Sequence, residues 1–252
     1  MKFTNASKLP AGLEKSLRFF VTNPSPCPYL PGKKERKAFT SLAISDADSV
    51  HNSLSQAGFR RSQTIAYRPA CARCNACRSV RVPTREFILS RNDRRALNKN
   101  ADLIRTPVEA QATREQFRLL RRYVKGRHDN GGMSEMTYRD YVNMVSGSPV
   151  KGLMFEYRQG EGPNAPLVGV SLTDILRDGF SMVYTFFRPE MEKRGLGHFM
   201  ILDHIQHAQD LGLPHVYLGY WVKGSQKMDY KRRYKPLEVL DGDDWRVLQD
   251  DE

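Results

Sequence analysis

The firmest alternation of apolar and polar positions lies in the second half of the chain. Residues 167–176 are mainly apolar, Arg177-Asp178-Gly179 gives a turn signal, and residues 180–187 resume the apolar run, which predicts a β-hairpin. A glycine-bearing loop, Arg194-Gly195-Leu196-Gly197, leads into residues 199–211, apolar at 199, 201, 202, 205 and 208 and stopped by Gly212. That spacing predicts a helix ended by glycine. Residues 215–220 then predict another strand.

Upstream the pattern is more broken. Ser45 with Asp48 three residues on predicts a helix start, with Val50 and Leu54 on its apolar face and Gly58 at its stop, and residues 64–67 predict a strand. A short helix fits residues 93–100. Thr113 with Gln116 is a second capping box, followed at helical spacing by Phe117, Leu120 and Val124, with Arg118, Arg121 and Arg122 turned outward. Residues 128–133 and 160–166 are glycine-rich turns. The text changes near residue 105, so residues 1–105 are expected to form a cysteine-containing, arginine-rich domain and residues 106–252 a second one. The predicted class is α+β. The order hairpin, glycine loop, helix, strand is that of an N-acetyltransferase-like acyl-transfer core.

With 252 residues, 40% hydrophobic and 10% aromatic, the chain suits a globular protein with a real core. Charges interrupt every apolar run before it reaches the roughly 18 residues of a membrane span. Residues 1–20 carry scattered charges and no apolar segment with a small-residue cleavage site, so a cytoplasmic address and no membrane partner are expected. The formal net charge of +12 favours a polyanionic partner, although a generally basic surface would give the same total. Clustering sharpens the picture: residues 78–105 hold eight Arg or Lys against three acids, and residues 223–235 six against one. Two basic zones far apart in sequence suggest one surface made when they meet.

Cys71-Ala-Arg-Cys74-Asn-Ala-Cys77 has two successive two-residue gaps, and Cys27 could supply a fourth thiolate. Such a set suits a structural zinc ion or an iron–sulfur cluster, and thiolates alone do not choose between them. Unmetallated thiols that pack or sense redox state are the alternative. A closed site there would fix Arg78 and Arg81, which follow directly.

Arg91, Arg94, Arg95 and Lys99 fall on or beside the short helix, where they could track a phosphate backbone or face solvent. The block from Leu218 to Pro236 interleaves aromatics with cations, the composition of a site for a single-stranded nucleic-acid end, and equally of an amphipathic rim. Glycines opening the helix after Arg194 could cradle a phosphate or serve close packing. An acetyltransferase would bind the coenzyme A pyrophosphate there, but Glu192 stands where that motif carries Gln or Arg.

Taken together, Cys27-Pro-Tyr-Leu-Pro, Gly58-Phe-Arg-Arg-Ser62, Tyr67-Arg-Pro69, Cys77-Arg-Ser-Val-Arg81, residues 91–100, Ser171-Leu-Thr-Asp-Ile-Leu176, Val183-Tyr-Thr-Phe-Phe-Arg-Pro189 and the 218–236 block resemble the arginyl-tRNA–protein transferase family. The similarity covers most of the chain and points to the family's short bacterial branch, which transfers leucine. It implies an acetyltransferase-like C-terminal domain, and transfer of an amino acid from leucyl-tRNA to proteins beginning with Asp or Glu, marking them for degradation. No enzyme nucleophile and no cofactor is needed for that chemistry, because the acceptor's α-amino group, with a reference pKa near 7.7–8.0, attacks the ester itself.

Asp174, polar within an apolar strand, is the candidate to hold or deprotonate that amine, and Tyr184 the candidate to hydrogen-bond the carbonyl or leaving oxygen. Arg78, Arg81 and Lys223 are candidates for binding the acceptor's acidic side chain. Arg94, Arg95, Lys227 and Lys231 are assigned to tRNA phosphates, Tyr220 and Trp221 to the 3′-terminal adenosine, and Cys27, Cys71, Cys74 and Cys77 to the metal or cluster. The rival readings are arginyl transfer by the same chemistry, acetyl transfer from coenzyme A, and a non-catalytic zinc or RNA-binding module.

Overall fold

The computed structural model describes residues 17–127, 135–162 and 164–251. The turn expected at 128–133, and residues 1–16 of the 1–20 stretch in which no secretory signal is expected, lie outside the described residues.

In chain order the first elements are β1 (Phe20–Val21), β2 (Ser25–Pro26), β3 (Lys34–Glu35), β4 (Lys37–Ser41), α1 (Ala47–Gln56), β5 (Arg60–Ser62), β6 (Ile65–Pro69) and β7 (Cys77–Pro83). Then come α2 (Arg91–Lys99), β8 (Leu103–Glu109), α3 (Arg114–Arg127), α4 (Tyr138–Val145), β9 (Gly152–Gln159), β10 (Leu167–Leu176) and β11 (Gly179–Phe187). A 3-10 turn (Pro189–Arg194) precedes α5 (Leu196–Asp210), β12 (His215–Val222) and α6 (Gln226–Asp229); a second 3-10 turn (Tyr230–Arg233), β13 (Glu238–Asp241) and β14 (Asp244–Val247) complete the order. The large sheet runs β14-β13-β7-β12-β11-β10-β9-β8, and a smaller antiparallel sheet runs β1-β4-β6-β5. Within the large sheet only β11 and β12 pair in parallel.

The expected hairpin, helix and strand are β10, β11, α5 and β12, the acetyltransferase-like core. β10 is buried at nearly every position because α3 packs against it and α1 also reaches it. A strand covered on both faces needs a near-continuous apolar sequence. Gly179 begins β11 where β12 arrives alongside: a Cβ there would lie 1.9 Å from the His215 carbonyl oxygen, so no side chain fits. Gly195, at φ 67°, turns the chain into α5, and a Cβ at Gly197 would meet the Phe187 ring at 3.3 Å. Gly197 thus serves close packing of helix on strand, and Gly195 the left-handed turn into the helix.

Thr113 and Gln116 cap α3 reciprocally, at 3.2 and 3.0 Å. The box expected at Ser45 and Asp48 does not form. Asp46 occupies the cap position, and Asp48 instead accepts the Lys151 backbone N–H at 2.7 Å, which ties α1 to the segment before β9. The main core lies between the large sheet and α3, α4 and α5, while Leu42, Val50, Leu54, Phe59 and Ala66 form a second cluster beneath α1. β7, which carries the last cysteine, sits inside the large sheet between β12 and β13.

Candidate functional site

β11 and β12 pair over only three residues: Gly179 with His215, Phe180 with Val216, Ser181 with Tyr217. Past that point each strand holds an extra residue. Val183 is bulged relative to β10, since Met182 faces Thr173 and Tyr184 faces Leu172, and Leu218 is bulged relative to β7. Bulges bend a strand and increase its twist, so two at the same level turn the strands apart. From Met182 and from Leu218 onward the inner edges have no strand partner among the described residues. This notch offers backbone donors and acceptors to a bound main chain.

Tyr184, half-buried on β11, lies at this level, and burial, with Tyr123 close by, pushes its hydroxyl up to about 12. It therefore stays a neutral hydrogen-bond donor at physiological pH. Tyr123 from α3 packs on Phe187 at 5.0 Å between ring centroids. The turn Tyr230–Arg233 reaches β12 and lies near α3: Lys231 donates to the Tyr220 carbonyl of β12 at 2.5 Å, and burial, with Tyr123 close by, raises the pKa of the Tyr230 hydroxyl.

Asp174 is not at this notch surface. Its carboxylate is 0% exposed, accepts three bonds from the Arg61 guanidinium at 2.6–2.9 Å, and meets His51 Nε2 at 3.0 Å. With its oxygens engaged and water excluded it cannot receive an incoming amine. It anchors α1 and β5 to β10, which corrects the assignment made from its polarity alone.

The two basic zones do meet. His198 of α5 joins them: Nε2 contacts Asp93 of α2 at 3.0 Å, and Nδ1 contacts the Tyr234 hydroxyl, just past the second 3-10 turn, at 2.9 Å. Burial holds this imidazole below its ordinary pKa despite Asp93. A neutral ring donating to Asp93 and accepting from Tyr234 fits both contacts. Arg94, Arg95 and Lys227 are exposed.

Tyr220, Trp221 and Lys231 are not. Tyr220 is 7% exposed with its hydroxyl 2.9 Å from the carbonyls of Gly58 and Tyr67, and Trp221 is 1% exposed beneath Arg78. Neither ring presents a face to a base: the small sheet covers Tyr220, and Trp221, on the opposite face of β12, lies in the main core. Lys231 is buried too. Tyr220→Phe is accordingly expected to lower stability by about 1 kcal/mol while leaving RNA affinity unchanged, as urea unfolding and filter binding would check.

The model of the family described as "Arginine-tRNA-protein transferase, N terminus" matches residues 25–95, and that of "Arginine-tRNA-protein transferase, C terminus" matches residues 115–241. A relative from Hyphomonas neptunium, named aspartate/glutamate leucyltransferase, is 73% identical over 100% of both chains. The chain belongs to this leucyltransferase family. A relative of the same name from Caulobacter vibrioides is 55% identical over 93% of this chain and 85% of its own. Among solved structures, L-PGS from Bacillus licheniformis is similar in fold, with a TM-score of 0.50 at 15% identity over 68% of this chain and 58% of that one.

In this leucyltransferase-family chain, Arg81 is not available to a substrate carboxylate. It is bonded to Glu238 at 2.6 Å, lies 3.8 Å from Asp178 and is covered by the Trp245 ring at 4.3 Å. Arg78 is half-buried over Trp221, and Lys223 is exposed just beyond β12. The four cysteines line one cavity of about 60 Å³, and burial, with the three neighbouring thiols, pushes Cys77 up to about 12. Their chemistry suits zinc or an iron–sulfur group. As placed, Cys71 accepts from the Arg36 backbone N–H at 3.5 Å and Cys74 from the Lys33 ammonium at 3.9 Å, and among the described residues no three His, Cys, Asp or Glu side chains are set at metal-binding positions.

The sequence reading gave no role to Arg60, Arg61, Tyr123 or Tyr230. Two adjacent arginines after Gly58-Phe59, inside an otherwise strand-like segment, were the available signal for Arg60 and Arg61, since strand interiors rarely hold charges without partners. No helix among the described residues is long and apolar enough to cross a membrane.

Proposed function

We propose that this chain transfers leucine from leucyl-tRNA to the N-terminal α-amino group of proteins beginning with Asp or Glu, which marks them for degradation in the cytoplasm. The observation that carries this reading is the 73% identity, over the whole of both chains, to a protein named for that reaction. Arginyl transfer by the same chemistry is the less favoured reading.

The notch between β11 and β12 is where the acceptor's first residues would lie, held by unpaired backbone, with the ester carbonyl beside Tyr184. Attack by the amine forms the new C–N bond, and the 3′-oxygen of the tRNA leaves. A neutral tyrosine hydroxyl is suited to donate to the oxygen on which charge develops. Arg78 and Lys223 are our candidates for the acceptor's carboxylate. The exposed cations on α2 and after β12 would hold the tRNA backbone and fix its position without reading its bases.

The donor is tested by offering leucyl-tRNA and arginyl-tRNA separately with a peptide beginning in Asp. Leucine alone should appear on the peptide; arginine alone would keep the family chemistry and overturn the donor. Changing Arg94 and Arg95 together to Ala should lower the salt dependence of tRNA binding by about 1.5 in log–log slope, with the unfolding midpoint unchanged because both are exposed. No step passes through the cysteine sulfurs, so a chelator should leave the single-turnover rate unchanged while the protein stays folded.

A further inference from the structure

Lys231 is the buried ionisable group that the fold explains least. It is 4% exposed, its ammonium donates to the Tyr220 carbonyl at 2.5 Å, and no carboxylate among the described residues pairs with it. The groups facing it are the Arg60 guanidinium from β5, the Tyr220 carbonyl from β12 and the Tyr230 ring of its own turn, 5.7 Å away. Its Nζ would lie 3.7 Å from a Cβ built on Gly219, one residue past the Leu218 bulge, and so sits where β12 has left β11. Burial, and then the like charge of Arg60, push the lysine down to about 7. An amine buried without a counter-ion costs folding energy that a methionine of similar length would avoid.

The proposed reaction needs such a group. The acceptor's amine arrives largely as an ammonium, with a reference pKa near 7.7–8.0, and must lose a proton before it can attack. Asp174 is sealed off, and among the described groups at the notch Tyr184 stays protonated.

We propose that Lys231 is the proton acceptor for the attacking α-amino group. This rests on the transfer reaction and the notch site proposed above. The neutral lysine takes one proton from the α-ammonium, and the freed lone pair forms the C–N bond at the ester carbonyl carbon. The second amine proton passes to the tRNA 3′-oxygen as the C–O bond breaks, and the lysine ammonium returns its proton to water. A base whose pKa lies near the working pH serves this step best.

The test is single-turnover leucine transfer from saturating leucyl-tRNA to an Asp-initiated peptide, from pH 6 to 9, with wild type, Lys231→Met and Lys231→Arg. Both variants should bind leucyl-tRNA within about twofold of wild type and transfer roughly 100-fold more slowly at pH 8, the arginine variant because its side chain never becomes neutral. Lys231→Met must use acceptor that is already free amine, whereas wild type starts from the ammonium, so the ratio of wild-type to Lys231→Met rates should fall about tenfold between pH 6 and pH 8, as a base near 7 requires. A flat ratio, or Lys231→Arg at the wild-type rate, would overturn the assignment while leaving the transferase reading intact. Wild-type protein that transfers nothing would overturn that reading itself. Should the variants fail to fold, lysine-selective ¹³C NMR of the wild type, assigned through side-chain correlations, decides: titration near 7 supports the proposal and titration above about 10 contradicts it.

Discussion

Replacing Asp174 with alanine is expected to cost about 3–5 kcal/mol of folding free energy, because the Arg61 guanidinium and the His51 imidazole would be left buried around a missing carboxylate. Domains are stable by only about 5–15 kcal/mol, so the variant should be marginally folded at 37 °C. Urea unfolding measures this directly, and a midpoint equal to that of wild type would contradict the anchoring role. Activity should fall with the folded fraction, and molecules that remain folded should transfer at the normal rate.

The same pair sets an acid limit. Burial alone would raise the Asp174 pKa, but hydrogen bonds from His51 and Arg61 overcome that and hold it below the ordinary carboxylate value. A carboxylate depressed in the folded state contributes stability that is fully present above its unfolded pKa, about 3.9, and is lost as pH falls through the folded value. Stability from this source should be level near neutrality and decline only in strong acid.

Tyr184→Phe is expected to slow single-turnover transfer by roughly 100-fold, the usual effect of losing one donor to a developing oxyanion. Leucyl-tRNA affinity and the unfolding midpoint should change little, since the ring remains and only the hydroxyl is lost. Because that hydroxyl is pushed up to about 12, it is protonated throughout pH 6–9, and the loss should be independent of pH over that range. This separates it from the Lys231 variants, whose deficit should depend on pH. Transfer at the wild-type rate would remove Tyr184 from the site.

What could be read from the sequence was what is local. The hairpin from Leu167 to Phe187, the capped start of α3 and the glycine entry to α5 each depend on residues within a few positions of one another, and all form as the pattern implies. Asp174 did stand out, as a charge inside an apolar strand, but its partner lies 113 residues earlier, and no local pattern distinguishes a carboxylate awaiting substrate from one already paired. Tyr220 and Trp221 were misleading for the same reason. Aromatics beside cations suit a stacking surface until Tyr220 is seen covered by β6, 153 residues away, and Trp221 turned the other way into the main core. Lys231 reads as one cation among six until it is seen buried against the Tyr220 carbonyl of β12. The joining of the two basic zones, by contrast, was inferable from charge alone, although its agent, the Asp93–His198–Tyr234 link, was not.

The most direct test of the account is transfer of radiolabelled leucine from leucyl-tRNA by the purified protein to three peptides that differ only in their first residue, Asp, Glu or Ala. Label on the Asp and Glu peptides and none on the Ala peptide is the result the account requires. Label on all three equally would contradict the acceptor rule, and label on none, with tRNA bound, would contradict the central claim that this fold forms a peptide bond.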